Sequence, residues 1–578
     1  MKKLRSNVLV VVTLILSVIT LFIEQSSLAA DFAFYSNILD FIVLFLLLFE
    51  VYRDFAEAKL RWLYFRRNIL SLLFVLAFVV LFVYNKLIYV GRSPDDLMGL
   101  SLGVVIVRNI FILLKTFSRI MRLNTFVESI SVHPAQTILF SFLLVILTGA
   151  LYLMAPFTTI SPGGLGFLDA LFTSTSAVCV TGLIVVDTAT VFTFWGHLGI
   201  LILIQIGGLS IMIISYFTIF LFRRQVSLEE KLLISYMLSE KDMTNLAKNL
   251  RTIIFSSFFL EAAGALLLYF PMKGAAGGGS ESALFLAVFH AVSAFCNAGF
   301  ALFSDSLEQF RGMLSVNLVV AALIIIGGIS FAVISDLRHF FSVRIVALFR
   351  RRRPGIGSIS LNSRLVLVGT AVLLLSGTYL VYGLEHTGAL AQLPLAQQYL
   401  SAFFQSVTLR TAGFNTIPFD SLKSPTLLVM IVFMFIGAAS GSTAGGVKIN
   451  NIAIVWAYIR SVLRGGGQAT IMRRSIEPEQ VNSAFLVLLF GVSAVFGGTI
   501  LLSASERAPL DRILFEAVSA FGTVGLSTGI TAGLSSMGKW VIISLMFMGR
   551  LGPLTILAAV SRQGKRSPVA YPTGNIST

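Results

Sequence analysis

Apolar and polar positions divide this chain into long hydrophobic runs separated by short basic or semi-polar connections. Four runs of about the length that crosses a bilayer fall roughly at 6–25, 36–52, 67–86 and 100–123. After about residue 130 one plan repeats: a spanning helix, a short semi-polar helix, a small-residue segment and a second spanning helix. The first unit occupies 136–157, 168–183 and 197–222, and the second 251–270, 283–300 and 313–335. In the third, 363–383 and 396–414 lead into a glycine-broken segment at 424–460, where the other units keep their second helix mostly intact. The fourth occupies 482–502, 511–526 and 538–560. The pattern predicts an all-α polytopic membrane protein with four membrane–loop–membrane repeats, preceded by about four additional transmembrane helices. The opening run has a basic start and small residues at its end, as a signal peptide does. Its length and the helices that follow favour a retained first helix.

The four short segments align without gaps on one glycine. They read SAVCVTG to Gly182, SAFCNAG to Gly299, VTLRTAG to Gly413 and SAFGTVG to Gly525, at intervals of 117, 114 and 112 residues. One glycine between two spanning helices can simply let them pack closely. Four in register form an internal repeat. Non-helical backbone at membrane depth is tolerated only where protein shields it or it lines a wet path. Glycine admits the sparse backbone angles that turn successive carbonyls toward an axis, and a ring of carbonyls replaces the hydration shell of a cation. Helices at 168–178, 284–295, 397–409 and 511–521 would aim their carboxyl ends at the centre and add partial negative charge.

Composition agrees with a lipid setting: of 578 residues 56% are hydrophobic and 12% charged, about half the charged share of soluble domains. The net charge of +16 would suit nucleic acid, but the basic residues gather in alternate connections. With a cytoplasmic amino terminus, 52–67, 222–225, 338–354, 460–474 and 562–566 lie inside. A thin mixed set around Asp31, Arg92, Asp95, Asp96, Glu385, Glu506 and Arg507 lies outside. This positive-inside distribution puts all four short segments on the outer half and makes membrane lipid, not nucleic acid, the expected surrounding. Two cysteines, Cys179 and Cys296, supply no disulfide framework and no cysteine metal site.

On these motifs, residues 131–566 resemble the bacterial Trk/Ktr/HKT superfamily of potassium transporters. SVTLRTAGFNT (406–416) and GRLGPLT (549–555) are most like the Ktr-type membrane subunit. The resemblance implies a selectivity filter at Val180, Thr181 and Gly182; Asn297, Ala298 and Gly299; Thr411, Ala412 and Gly413; and Thr523, Val524 and Gly525. Potassium would be held there by backbone carbonyls. Relatives that favour sodium commonly carry serine at the first glycine, so Gly182 resembles the potassium-selective arrangement. The implied domains are an accessory helical region (1–130), pore repeats at 131–245, 246–356, 357–478 and 479–566, and a cytoplasmic tail (567–578). The resemblance further implies a multi-pass protein of the bacterial inner membrane and a homodimer with one pore per protomer. It also implies cytoplasmic nucleotide-binding regulatory subunits and sodium as an activator. No Walker-type motif occurs, so no organic cofactor and no enzymatic activity are expected of this polypeptide.

The third repeat carries FIGAASGSTAGGVKIN (435–450), with four glycines between Gly437 and Lys448. Each costs a helix interior about 1 kcal/mol relative to alanine, so the helix should break near mid-membrane. The break is either a packing hinge or a loop that obstructs the pore below the filter. The resemblance favours the second and assigns gating to Gly437, Ala438, Ala439, Ser440, Gly441, Ser442, Thr443, Ala444, Gly445, Gly446 and Lys448. Arg550 lies midway along a spanning helix, where an arginine either snorkels or faces a bundle interior; the family places it near the loop. Arg410, three residues before its glycine, is expected to brace the filter from behind, bonding to carbonyls or to a carboxylate such as Glu516.

Helices within 1–130 look like a reduced voltage-sensor-type bundle, with Arg108, Lys115, Arg119 and Arg122 on the fourth. The regular three-residue charge spacing is missing, which favours a non-sensing accessory role. The basic stretches 338–354 and 460–474 are docking surfaces for partners or inner-face anchors. A sodium- or proton-coupled secondary cation transporter is the competing reading, since broken helices and intramembrane charge occur there too.

Overall fold

The computed structural model describes residues 134–161, 163–209, 246–274, 282–349 and 359–552. The accessory region, the inner connections at 52–67, 222–225 and 562–566, and the tail lie outside the described residues.

The described chain is helical apart from a small hairpin, Thr470–Ile471 with Arg474–Ser475. Repeat one holds α1 (Pro134–Leu153), α2 (Phe167–Val178) and α3 (Phe194–Leu209). Repeat two holds α4 (Leu246–Lys273), α5 (Ala283–Cys296), α6 (Leu314–Gly328) and α7 (Phe331–Phe349). Repeat three holds α8 (Leu361–Glu385), α9 (Leu395–Thr408), α10 (Ser424–Phe435) and α11 (Ile449–Leu463). Repeat four holds α12 (Pro478–Ser505), α13 (Leu510–Gly522) and α14 (Ser536–Leu551).

The outer helices are apolar on every side, yet helical spacing sorts their residues. On α1, Phe142, Ile146, Ala150 and Leu153 are buried, while Phe140, Leu143, Leu147 and Leu151 are exposed. On α12 the exposed row is Leu486, Leu489, Val492, Phe496 and Ile500. An exposed apolar row of this kind is solvated by lipid tails, so the fold is that of an all-α polytopic membrane protein. The short helices α2, α5 and α13 are instead buried along most of their length, and α9 along its C-terminal half.

Each short helix packs on the first helix of its own repeat and on the second helix of the preceding repeat: α5 on α3, α9 on α6, α13 on α10 and α2 on α14. The last contact closes the circle. Lys539 at the outer end of α14 reinforces it with an ion pair to Asp169 in the first turn of α2, 2.5 Å apart.

The expectation that only the third repeat interrupts its second helix is corrected. In repeat two, α6 and α7 meet at a bend of 102°. The carbonyls of Gly327 and Gly328, at the end of α6, accept from Thr443 N and Ala439 N of the third repeat at 3.3 and 3.2 Å. Backbone from another repeat thus replaces the helical ladder, which satisfies the groups freed by the bend.

Candidate ion pathway

Each short helix ends in the same backbone turn. Val180, Asn297, Thr411 and Thr523 have φ of 56°, 60°, 70° and 50°; the glycines two residues on, Gly182, Gly299, Gly413 and Gly525, have 91°, 71°, 80° and 90°. In repeats one, two and four the turn is a Schellman cap. Thr181 N reaches Ser176 O at 2.8 Å, Ala298 N reaches Ser293 O at 2.7 Å and Val524 N reaches Ser519 O at 2.8 Å. Repeat three tightens it by one residue, with Ala412 N on Thr408 O at 3.0 Å. Three β-branched residues in the left-handed region cost roughly 1–2 kcal/mol each. Strain of this kind persists only where the surroundings over-determine it.

The surroundings here are the other three segments. A Cβ built on Gly299 would lie 2.9 Å from Ala412 O, and one on Gly413 2.6 Å from Val524 O. One on Gly525 would strike Thr181 O, and one on Gly182 would strike Ala298 O. Each glycine therefore abuts the carbonyl preceding the next, in the order 182, 299, 413, 525 and back to 182. The four turns form a closed ring that leaves no room for a side chain.

Serine side chains pin the ring from behind: Ser176 Oγ accepts from Gly182 N at 3.0 Å, and Ser519 Oγ from Gly525 N at 3.2 Å. Ser293 Oγ donates to Phe300 O at 2.8 Å.

Gly437–Lys448 forms the break between α10 and α11, buried for most of its length. Gly437 N donates to Val447 O at 2.8 Å, so the loop closes on itself. Thr443 Oγ1 reaches Gly327 O at 3.0 Å, and Gly446 N reaches Gly549 O at 3.3 Å. A Cβ on Gly445 would collide with Thr523, directly beneath the ring. Lys448 Nζ donates to Ala444 O at 2.5 Å and Gly445 O at 3.3 Å. Arg550 donates from Nη1 to Thr443 O and from Nη2 to Gly207 O. It joins repeat four to the loop and to repeat one.

Arg410 and Glu516 are not partners, and Arg410 reaches no filter carbonyl. Buried Arg410 donates from Nη2 to Thr370 Oγ1 of α8 at 3.1 Å, and its Nε has no hydrogen-bond partner. Glu516 accepts from Ser527 Oγ at 2.5 Å, Thr528 N at 2.9 Å and Thr531 Oγ1 at 2.8 Å, just past the fourth ring glycine. The two face different elements because Arg410 follows α9 at its C-terminus while Glu516 sits mid-way along α13.

Other residues at the site are absent from the sequence reading. Gly207, Gly327 and Gly549 leave no room for a Cβ beside the carbonyls of Val178, Phe295 and Phe521. Those three carbonyls each stand four residues before a ring glycine. The intervals from ring glycine to packing glycine, 25, 28 and 24 residues, were a readable signal. Glu261 on α4 accepts from Gln205 Nε2 of α3 at 3.0 Å, tying repeats one and two inside the membrane.

Four re-entrant segments closing on one axis, each capped by inward-facing backbone, define a membrane protein of the cation-pathway class. A family model described as TrkH, cation transport protein, matches residues 104–567. The chain belongs to that family. It is 37% identical over 447 residues to Ktr system potassium uptake protein B of Bacillus subtilis, covering 77% of this chain and 96% of that protein. It is 34% identical over 446 residues to potassium/sodium uptake protein NtpJ of Enterococcus hirae, covering 76% and 95%. The crystal structure of the potassium transporter TrkH from Vibrio parahaemolyticus superposes with a TM-score of 0.61, at 18% identity, over 86% of this chain and 98% of that one. That likeness establishes a shared fold.

Proposed function

We propose that this chain is the membrane subunit of a Trk/Ktr-type potassium uptake system, conducting the ion down its electrochemical gradient through the four-glycine ring. The closed ring of glycines and carbonyls is the observation that carries the reading. A cation shedding water meets oxygen ligands from four sides, and the C-terminal ends of four helices face the same point. An anion meets the repulsive end of every dipole.

The loop at 437–448 lies below the ring and carries Lys448, while Arg550 holds it from the side. In this position it obstructs the path, and its release opens it. The assembly into a homodimer, regulation by cytoplasmic nucleotide-binding subunits docking on 338–354 and 460–474, and activation by sodium belong to the same proposal. They rest on the resemblance to Ktr-type systems. The name of the Enterococcus relative makes sodium the competing ion to measure.

The test is ion flux into liposomes holding only this chain, with potassium, sodium and proton gradients varied one at a time. Potassium flux that follows the potassium gradient alone supports a pore. Flux that requires an opposing or accompanying sodium or proton gradient refutes it in favour of a coupled transporter.

A further inference from the structure

Three of the four ring segments are braced from within their own repeat. In repeat two, His290, nine residues before the ring glycine, accepts through Nε2 from Leu302 N, three residues after it, at 3.3 Å. In repeat four, Glu516 and Thr528 N stand in the same register, nine before and three after, at 2.9 Å. Repeat one uses Ser176 on Gly182 N. Repeat three has none of these devices. Phe404 occupies the position of His290 and Glu516, and Val407 replaces the bracing serine. Gln405, next along, reaches only Thr416 Oγ1, at 3.5 Å, and its Oε1 has no partner.

The third segment is held from outside instead. Asn415, two residues after Gly413, places its carbonyl on Leu307 N at 3.1 Å and its amide N–H on Ser306 Oγ at 3.3 Å. Its side chain donates from Nδ2 to Glu308 Oε1 at 2.7 Å, and more weakly to Ile417 O at 3.3 Å. Ser306 itself is left-handed, with φ of 56°, to present this surface. The backbone N–H, the carbonyl and the side-chain NH2 of Asn415 are thus met by repeat two or by its own turn, and the shortest bond is to a carboxylate.

We infer that Glu308 is a positioning residue for ion selectivity, fixing the third quarter of the ring from the neighbouring repeat through Asn415. The inference rests on the ring being the selective element. In a snug-fit ring, selectivity depends on how firmly the ligands are held against closing on a smaller ion. The only quarter without an internal serine, histidine or glutamate brace is the one most exposed to loss of its external one. Glu308 lies at the outer mouth, in a half-buried position near Asp305 and Asp420 that raises its pKa, through burial first and then like charge, with Arg311 opposing. The contact to Asn415 therefore sits among groups whose charge could act independently, and the test must separate bond from charge.

The full chain is reconstituted in liposomes, and potassium-to-sodium permeability is read from reversal potentials. Glu308→Gln keeps an oxygen acceptor and should retain the ratio; Glu308→Met keeps the length, loses the acceptor, and should lower the ratio roughly threefold to tenfold, a part of the roughly tenfold to hundredfold that one whole bond to a charged group is worth. Asn415→Asp sets two carboxylates against each other and should lower it as well. Adding Glu308→Gln to Asn415→Asp reverses donor and acceptor and should restore most of the ratio. Adding Asp420→Asn instead matches the net charge without restoring the bond, and should not. Equal rescue by Asp420→Asn overturns the inference. So does an unchanged ratio in both Glu308→Met and Asn415→Asp while Gly182→Ser lowers it. An unchanged ratio in Gly182→Ser too would remove the ring itself as the selective element. If Asn415→Asp alone fails to fold, the donor–acceptor swap against the Asp420→Asn pair still decides.

Discussion

Arg550 is the perturbation with the most definite arithmetic. Its guanidinium makes two charge-assisted bonds, to Thr443 O in the loop and Gly207 O in repeat one, each worth about 1.5–3 kcal/mol. Arg550→Ala removes both, together with a positive charge beside the path, so basal potassium flux through the isolated chain should rise. Only the Thr443 bond disappears when Ala438–Gly445 is deleted; the Gly207 bond survives. The coupling between Arg550→Ala and that deletion should therefore equal one bond, about 1.5–3 kcal/mol, or roughly 10- to 140-fold in the open-to-closed ratio at about 1.4 kcal/mol per tenfold. A double-mutant cycle on flux from liposomes measures it. Arg550→Lys keeps the charge but cannot bridge two acceptors on different repeats with a planar fork, and should fall between. An Arg550→Ala effect undiminished in the deletion background would refute the loop contact as the source of closure and leave only direct repulsion. The deletion should also raise flux by itself; a folded deletion variant that conducts no faster refutes the loop as the obstruction.

Gly182→Ser forces a Cβ toward Ala298 O at φ 91°, so the ring must widen, and reversal potentials should show a lower potassium-over-sodium preference. Lys448→Met loses both of its acceptors' bonds, at Ala444 and Gly445. It should raise basal flux in the intact chain and add nothing after the Ala438–Gly445 deletion, unlike Arg550→Ala. Gly549→Ala pushes α14 off the carbonyl of Phe521 and should cost about 1–3 kcal/mol as an overpacked site, read as a lower melting temperature in detergent. Gly497→Ala, on α12 with nothing within 4 Å of the new methyl, is the control and should gain up to about 1 kcal/mol of helix stability.

The repeat was legible because its determinants are local. A run of apolar residues forms a spanning helix whatever surrounds it, and a left-handed turn that ends a buried helix needs glycine at a fixed offset. The four short helices accordingly begin and end within one or two residues of their expected bounds. The bend of 102° between α6 and α7 was not legible. Gly327-Gly328 looks like any small pair in a helix until the third repeat's loop arrives to take its carbonyls. The partner of Arg410 was missed for a related reason. A sequence offers Glu516 as the nearest opposite charge in kind, but Thr370 lies on a helix forty residues earlier, and only packing brings it close. Glu308 and Asn415, 107 residues apart, meet because consecutive repeats share a wall.

Four repeats in one chain can differ where four identical subunits cannot, and the differences here fall in one place. Repeat three alone has the long loop, lacks the serine brace at Val407, and puts a cationic residue, Arg410, behind its ring segment. Its loop takes hydrogen-bond partners from repeat two at Gly327 and Gly328, and from repeat four at Gly549. If the loop obstructs the pore as proposed, a symmetric pore could not use the same device, because four such loops would collide where one fits. A loop proposed to obstruct needs neighbours that supply carbonyls, and Gly327, Gly328 and Gly549 supply them. The same asymmetry leaves repeat three's quarter of the ring without a serine, histidine or glutamate brace, and there Glu308 reaches across from repeat two. The loop thus touches the second and fourth segments, at Phe295 and Thr523, while the strut holds the third. Loosening at the loop and loosening at the outer mouth should be separable, the first changing how much ion passes and the second which ion passes.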